Sequence, residues 1–388
     1  MVERKKQTIP IWRDERFWRI ALQILAVLIF VGIVALLMGN LNRNLAQQGN
    51  NFGFGFLKNE AGFSISETLI PYKPKDPYSQ VLLAGLANSL RVMILGMILT
   101  TIVGVLAGIA SFSENWLLRQ LNRVYVEVVR NTPLLLQLFF WYFAVFFSLP
   151  KPQDMIKLPG PIFMSKRGIA IPWPANTLNV WIGLLVLGIG IIVAIFIWRS
   201  RIQLMTEKAE SGQPQLIALI IIAIISILII IFGLGWQAPK IIATGGTEGG
   251  LNLTLELSAL LTGLVFYTGA FIAEIVRAGI QSVPKGQWEA AKSLGLKSGL
   301  VMRLVIFPQA LRVMIPSLNS QYMNLAKNSS LAIAIGYPDL YAVANTTYNQ
   351  TGRPIEVFLL IMAAYLSINL IISLSMNLLN KTVQIKER

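Results

Sequence analysis

The sequence predicts an all-α integral membrane protein with about eight transmembrane helices, and three observations carry that prediction. Of the 388 residues, 55% are hydrophobic and 13% charged, where an ordinary soluble domain carries about 25% charge. Mean hydropathy is +0.62. Six stretches are apolar enough to cross about 30 Å of hydrocarbon, which takes about 20 residues at 1.5 Å each. They are residues 18–38, 81–110, 132–149, 178–198, 216–235 and 355–380. Two more, 254–278 and 306–328, mix polar residues into the apolar run: Glu256, Glu274 and Arg277 in the first, Arg312, Gln321 and Lys327 among those in the second.

An even number of spans puts both termini on one side, and the net charge of +15 tests which. With a cytoplasmic N-terminus, the inside segments carry about twice as many Lys and Arg as the longer outside loops. That is the positive-inside bias, so the basic excess calls for no nucleic acid. The apolar run 20–38 follows basic residues as a signal peptide would. It is longer than the usual 7–15 residues of a cleaved core and no A-x-A-like site follows, so it reads as a retained anchor. With no Cys and no His, the chain has no disulfide, no thiolate or imidazole metal ligand and no imidazole-based triad.

The outside loops hold the remaining material. Residues 39–80, rich in Asn, Gly, Phe and then Pro, predict irregular backbone over the membrane surface, and 150–177 is likewise broken by Pro. Neither is large enough for a separate domain, and no repeat of fixed period occurs. The clusters GFGF (53–56) and GGTEGG (245–250) lack the Lys and helix of a phosphate-binding loop and read as turns.

Past the sixth span in chain order, 254–278, Pro284 and Gly286 break the chain. Gln287 to Leu294 then reads as a short helix built on Glu289, Ala290, Ala291 and Lys292, ended by Gly295 where a left-handed C-cap belongs. A second helix starts near Lys297 and enters the membrane around Phe307. This elbow is expected to present Ala290 and Ala291 outward, a knob small enough for another protein's groove.

The spacing of Glu289, Ala290, Ala291, Gly295, Val305, Phe307 and Pro308 resembles the EAA signature of ABC importer permeases, with Val305 for the usual Ile and Phe307 for Leu. GLANSLRV (85–92), VVRNTPLLLQLFFWY (128–142) and FIAEIVRAGIQSVPKGQWEAAKSLGL (271–296) resemble the polar amino acid subfamily. So does LAKNSSLA (325–332), with Asn328 where Asp is common and Ser329 where Thr is. The likeness covers residues 81–149 and 251–382. Its layout resembles the long general L-amino acid permeases: a type I, MetI-like five-helix core with one added N-terminal and two inserted helices.

The resemblance implies three segments: 1–80, the cytoplasmic N-terminus, first helix and external loop; 81–382, the MetI-like domain with inserted helices at 178–235; and 279–305, a cytoplasmic coupling loop. It implies a bacterial inner-membrane permease, not itself an enzyme, importing polar neutral or acidic L-amino acids. Glu289, Ala290, Ala291 and Gly295 would engage a dimer of ATP-binding cassette subunits. ATP and Mg would be bound there, since this chain has no G-x-x-x-x-G-K-[ST] loop. A second, different permease, a periplasmic amino acid-binding protein and membrane lipid complete the implied partners. The competing reading is an ion-coupled secondary amino acid transporter; inverted repeats and intramembrane carboxylates would favour it, and the sequence shows no clear repeat and few buried acids. A membrane anchor or enzyme subunit would need cofactor ligands.

Residues 306–328 carry an ordered polar stripe. Gln321, Asn324 and Asn328 stand at i, i+3 and i+7, on one helical face, and Ser317 extends it a turn back. Pro316 frees backbone carbonyls there, as in the broken helices of transporter sites. The face reads as the lining of a substrate path, against the alternative of interhelical hydrogen bonding at about 0.6 kcal/mol per contact. Its neutral amides point to neutral polar or acidic amino acids over arginine or lysine. Lys327 either meets a substrate carboxylate or snorkels outward. Asn88 and Ser89 face either the cavity or a packing interface. Thr132 and Pro133 are expected as N-cap and N1 of the third span, Glu274 and Arg277 as an ion pair.

Overall fold

The computed structural model describes residues 15–47, 52–207, 211–242 and 246–383. Helix α1 (Glu15–Gln47) is 33 residues long, and its apolar side chains are exposed all round. Helix α2 (Tyr78–Ala110) follows a loop that holds a 3-10 turn, Gly55–Lys58. Then come α3 (Trp116–Arg130) and α4 (Leu134–Phe139), the latter prolonged by a π-helical segment to Phe146. The two meet at a bend of 111°.

Thr132 and Pro133 work differently there than their sequence suggests. Pro133 itself is the N-cap, with ψ of 137°, and the Thr132 hydroxyl donates to the Val128 carbonyl at 2.8 Å, closing α3 instead of opening α4. Having no N–H, Pro133 cannot continue the helix, and a proline disfavours the α region for the residue before it.

Strands β1 (Ile156–Leu158), β2 (Ile162–Ser165), β3 (Gly168–Ile171) and β4 (Trp173–Pro174) precede the hairpin of α5 (Leu178–Glu207) and α6 (Gln213–Leu228). After it come β5 (Trp236–Gln237), β6 (Lys240–Ile241), β7 (Thr247–Glu248) and β8 (Leu251–Leu253). An antiparallel sheet runs β1-β2-β3-β8, with Ile171 opposite Leu251. This sheet replaces the irregular backbone expected over 150–177. Each strand is only three or four residues long, too short for a period-2 pattern to stand out. Gly168 is required at φ +109°, because a Cβ there would lie 1.9 Å from the Leu253 carbonyl oxygen.

The bundle is centred on α2 and α7 (Leu255–Gln281). A Cβ on Gly104 would lie 2.5 Å from Ile272, and one on Gly108 2.5 Å from Val276; the glycines, four residues apart, let the backbones touch as small-xxx-small seams do. Gly104→Ala and Gly108→Ala should each destabilise by about 1–3 kcal/mol through overpacking. Thermal unfolding in detergent checks this, and an unchanged midpoint for both would contradict so close an approach.

The chain turns through α8 (Lys285–Ser293) and α9 (Ser298–Val301), which runs by a π-helical turn into α10 (Phe307–Asn328). After α11 (Leu340–Thr351), an added short helix capped by Asp339 accepting from the Ala342 amide at 2.8 Å, α12 (Pro354–Val383) closes the fold. Among the described residues seven helices are long and apolar enough to cross a membrane, and the bent pair makes up to eight, the number read from hydropathy. The α5–α6 hairpin and α1 stand outside the packed core, whose buried clusters draw on α2, α4, α7, α10, α11 and α12.

Candidate functional site: the elbow and the polar face of α10

The elbow forms where the sequence places it, with Gly295 at φ +73°. Its orientation is not the expected one. Ala291 is 3% exposed and packs with Val283, Ile306 and Val301, joined by Trp288; the short helix must bury one side against the base of the bundle, and positions 288 and 291 lie on it. Ala290 and Glu289 face outward. The outer surface gains a residue that sequence reasoning passed over: Leu294, 79% exposed at the tip. A leucine just before a left-handed Gly is the signal that could have found it, since no covering segment follows in sequence. Gln309 Nε2 donates to Gln287 Oε1 at 3.1 Å, tying α8 to α10.

On α10, Ser317 and Asn324 are exposed, while Gln321 and Asn328 are half-buried. Among the described residues, none of the four side chains makes a hydrogen bond within the chain. Lys327 is exposed beside this face and lines, with Ser330, Tyr341, Tyr365 and Asn369, a crevice of about 620 Å³ between α10 and α12. Asn369 Oδ1 is buried in it without a partner.

Asn88 lies elsewhere. It is fully buried; its Nδ2 donates to the carbonyls of Glu67 at 2.8 Å and Pro338 at 2.9 Å, and its Oδ1 accepts from the Leu69 amide at 3.1 Å. With its amide filled by backbone, Asn88 is a structural link between α2, the 52–77 loop and the turn before α11, and not part of the α10 face. Ser89 is used the same way, accepting from the Leu340 amide at 2.9 Å.

Nearby, Arg91 pairs with Glu67, whose second oxygen accepts from Thr254, the N-cap of α7, at 2.5 Å. Burial pushes the Asp339 carboxyl up to about 7, against hydrogen bonds from the Ala342 and Tyr341 amides and the Tyr365 hydroxyl that pull it down. At the other end of the bundle Glu274 and Arg277 form the expected ion pair.

The family model for the inner membrane component of binding-protein-dependent transport systems matches residues 214–385. A putative amino-acid ABC transporter permease, YhdX of Escherichia coli (strain K12), is 45% identical over 94% of both chains. The general L-amino acid transport system permease AapQ of Rhizobium johnstonii is 42% identical over 97% of this chain and 94% of its own. The glutamate/glutamine/aspartate/asparagine transport system permease BztB of Rhodobacter capsulatus is 40% identical over 97% and 96%. Carrying the elbow, the multi-span bundle and these relationships along nearly its whole length, the chain belongs to the ABC transporter permeases of the inner membrane, non-enzymatic subunits that work with an ATPase on a separate chain and with a binding protein.

Proposed function

We propose that this permease imports neutral polar and acidic L-amino acids, and that the α10 face, together with the neighbouring crevice that Lys327 lines, is this subunit's share of the path. The observation that carries the reading is the set of four polar side chains, Ser317, Gln321, Asn324 and Asn328, that make no hydrogen bond among the described residues, on a helix long and apolar enough to cross a membrane. Polar groups do not stay unpaired against lipid, so that side of α10 meets a water-filled path or a second permease. Amides donate and accept, which suits a glutamine or glutamate side chain. Lys327 and Asn369 give the α-carboxylate a cation and an amide, in a crevice within the usual 300–1,000 Å³ of small-ligand sites. The names of AapQ and BztB support amino acid cargo, and BztB's supports acidic and amide side chains in particular.

The partner at the pore is a second, different permease, the termini lie in the cytoplasm, and the elbow meets the ATPase dimer, which binds ATP and Mg²⁺. The positive-inside bias supports this orientation. Uptake by the reconstituted complex tests the reading. Gln321→Ala should raise the half-saturating substrate concentration about tenfold, the worth of a hydrogen bond to a charged or polar ligand, with basal ATP hydrolysis retained. An unchanged value removes Gln321 from the path, and arginine carried as well as glutamine or glutamate overturns the specificity.

A further inference from the structure

The bend before α4 turns α3 across the end of the bundle, and α3 is two-sided. Leu117, Leu121, Val124 and Val128 form one stripe, each at least 49% exposed, while Arg119, Arg123 and Arg130 follow the opposite side at helical spacing. At 111° to its membrane-crossing continuation, such a helix lies in the membrane interface with its apolar stripe in the acyl boundary. Between its arginine side and α7 is a cleft of about 490 Å³, closed on the α7 side by Glu274 and Arg277.

We propose that this cleft seats the headgroup phosphate of an anionic phospholipid. The charge balance supplies the argument. Four guanidinium groups line it against two carboxylates, Glu127 and Glu274. Glu274 is taken by Arg277 and, at 3.8 Å, by Arg130, and Glu127 by Arg123 at 2.9 Å. Arg119 pairs with no carboxylate among the described residues; one of its donors reaches the Ser113 carbonyl at 3.0 Å. The cleft therefore keeps a positive excess and unused guanidinium donors, whose planar fork matches phosphate oxygens. It is also preformed, because the Tyr125 hydroxyl donates to the Phe266 carbonyl at 2.7 Å and pins α3 to α7. A lipid fits better than a soluble anion because a helix with its apolar stripe in the acyl boundary holds its opposite, arginine side at headgroup depth.

The proposal requires the membrane location and is independent of the cargo. Its test is native mass spectrometry of the assembled transporter from nanodiscs of phosphatidylcholine mixed with phosphatidylglycerol. The wild-type complex should retain phosphatidylglycerol selectively, and Arg119→Gln/Arg123→Gln should lose that selectivity about thirty-fold, the worth of two arginines at an anionic surface. Both side chains are exposed, so the unfolding midpoint should not move. Arg123→Lys should retain most of the selectivity. Equal retention by the double variant, no preference in the wild type, or displacement of the lipid by millimolar inorganic phosphate would each overturn the assignment.

Discussion

Glu289→Lys is expected to lower ATP-driven uptake by at least about tenfold, while the bundle itself stays folded. Glu289 is exposed on α8 and forms no ion pair among the described residues, so reversing its charge disturbs nothing inside the chain. Its position on the outer side of the elbow, next to Ala290 and one turn from Leu294, puts the new lysine on the surface proposed above to meet the motor subunit's groove. Removing or reversing a buried interfacial charge costs about 2–5 kcal/mol, and a short helix in a groove offers few other contacts to compensate. The chain contains no cysteine, so Ala290→Cys gives a single cross-linking handle. It should join this chain to the ATPase in the wild-type background and fail to do so with Glu289→Lys. Normal uptake by the Glu289→Lys complex would remove this surface from the coupling interface.

The second large effect is expected from Arg91→Met. Arg91 and Glu67 are 12% and 11% exposed, and Glu67 also receives Thr254. Deleting one partner of a buried pair leaves an uncompensated charge, at about 3–5 kcal/mol. Here that charge would sit where the 52–77 loop, α2 and the start of α7 meet, so the loop should loosen first. Limited proteolysis of this loop and a lowered unfolding midpoint are the readouts. Glu67→Gln/Arg91→Met should recover more than half of the loss, because it removes the stranded carboxylate. An unchanged midpoint in the single variant would mean the pair is solvated.

The spans were legible because hydropathy over about 20 residues is a bulk property, insensitive to partners. The elbow was legible because its Pro, Gly and helix-forming residues act locally. What could not be read were orientations set at a distance. Ala291 faces inward because Val301 and Ile306 cover it, and Asn88 is filled by carbonyls and an amide as much as 250 residues away in sequence. Arg91 lies within the apolar stretch 81–110, and its partner Glu67 comes from a loop that hydropathy does not place beside it. The strands failed for another reason: at two to four residues, interrupted by Pro and Gly, they carry no measurable period.

Ile171 faces Leu251 across β3 and β8, so the chain departs for its hairpin and comes back at points only about one strand spacing apart, near 4.8 Å. The 79 positions between them are thus an excursion stitched shut at its root. Such a detour can lengthen, shrink or change its lipid-facing surface without altering where the two halves of the bundle rejoin. Biosynthesis inherits the same freedom: the later helices can find their earlier neighbours whatever the excursion is doing.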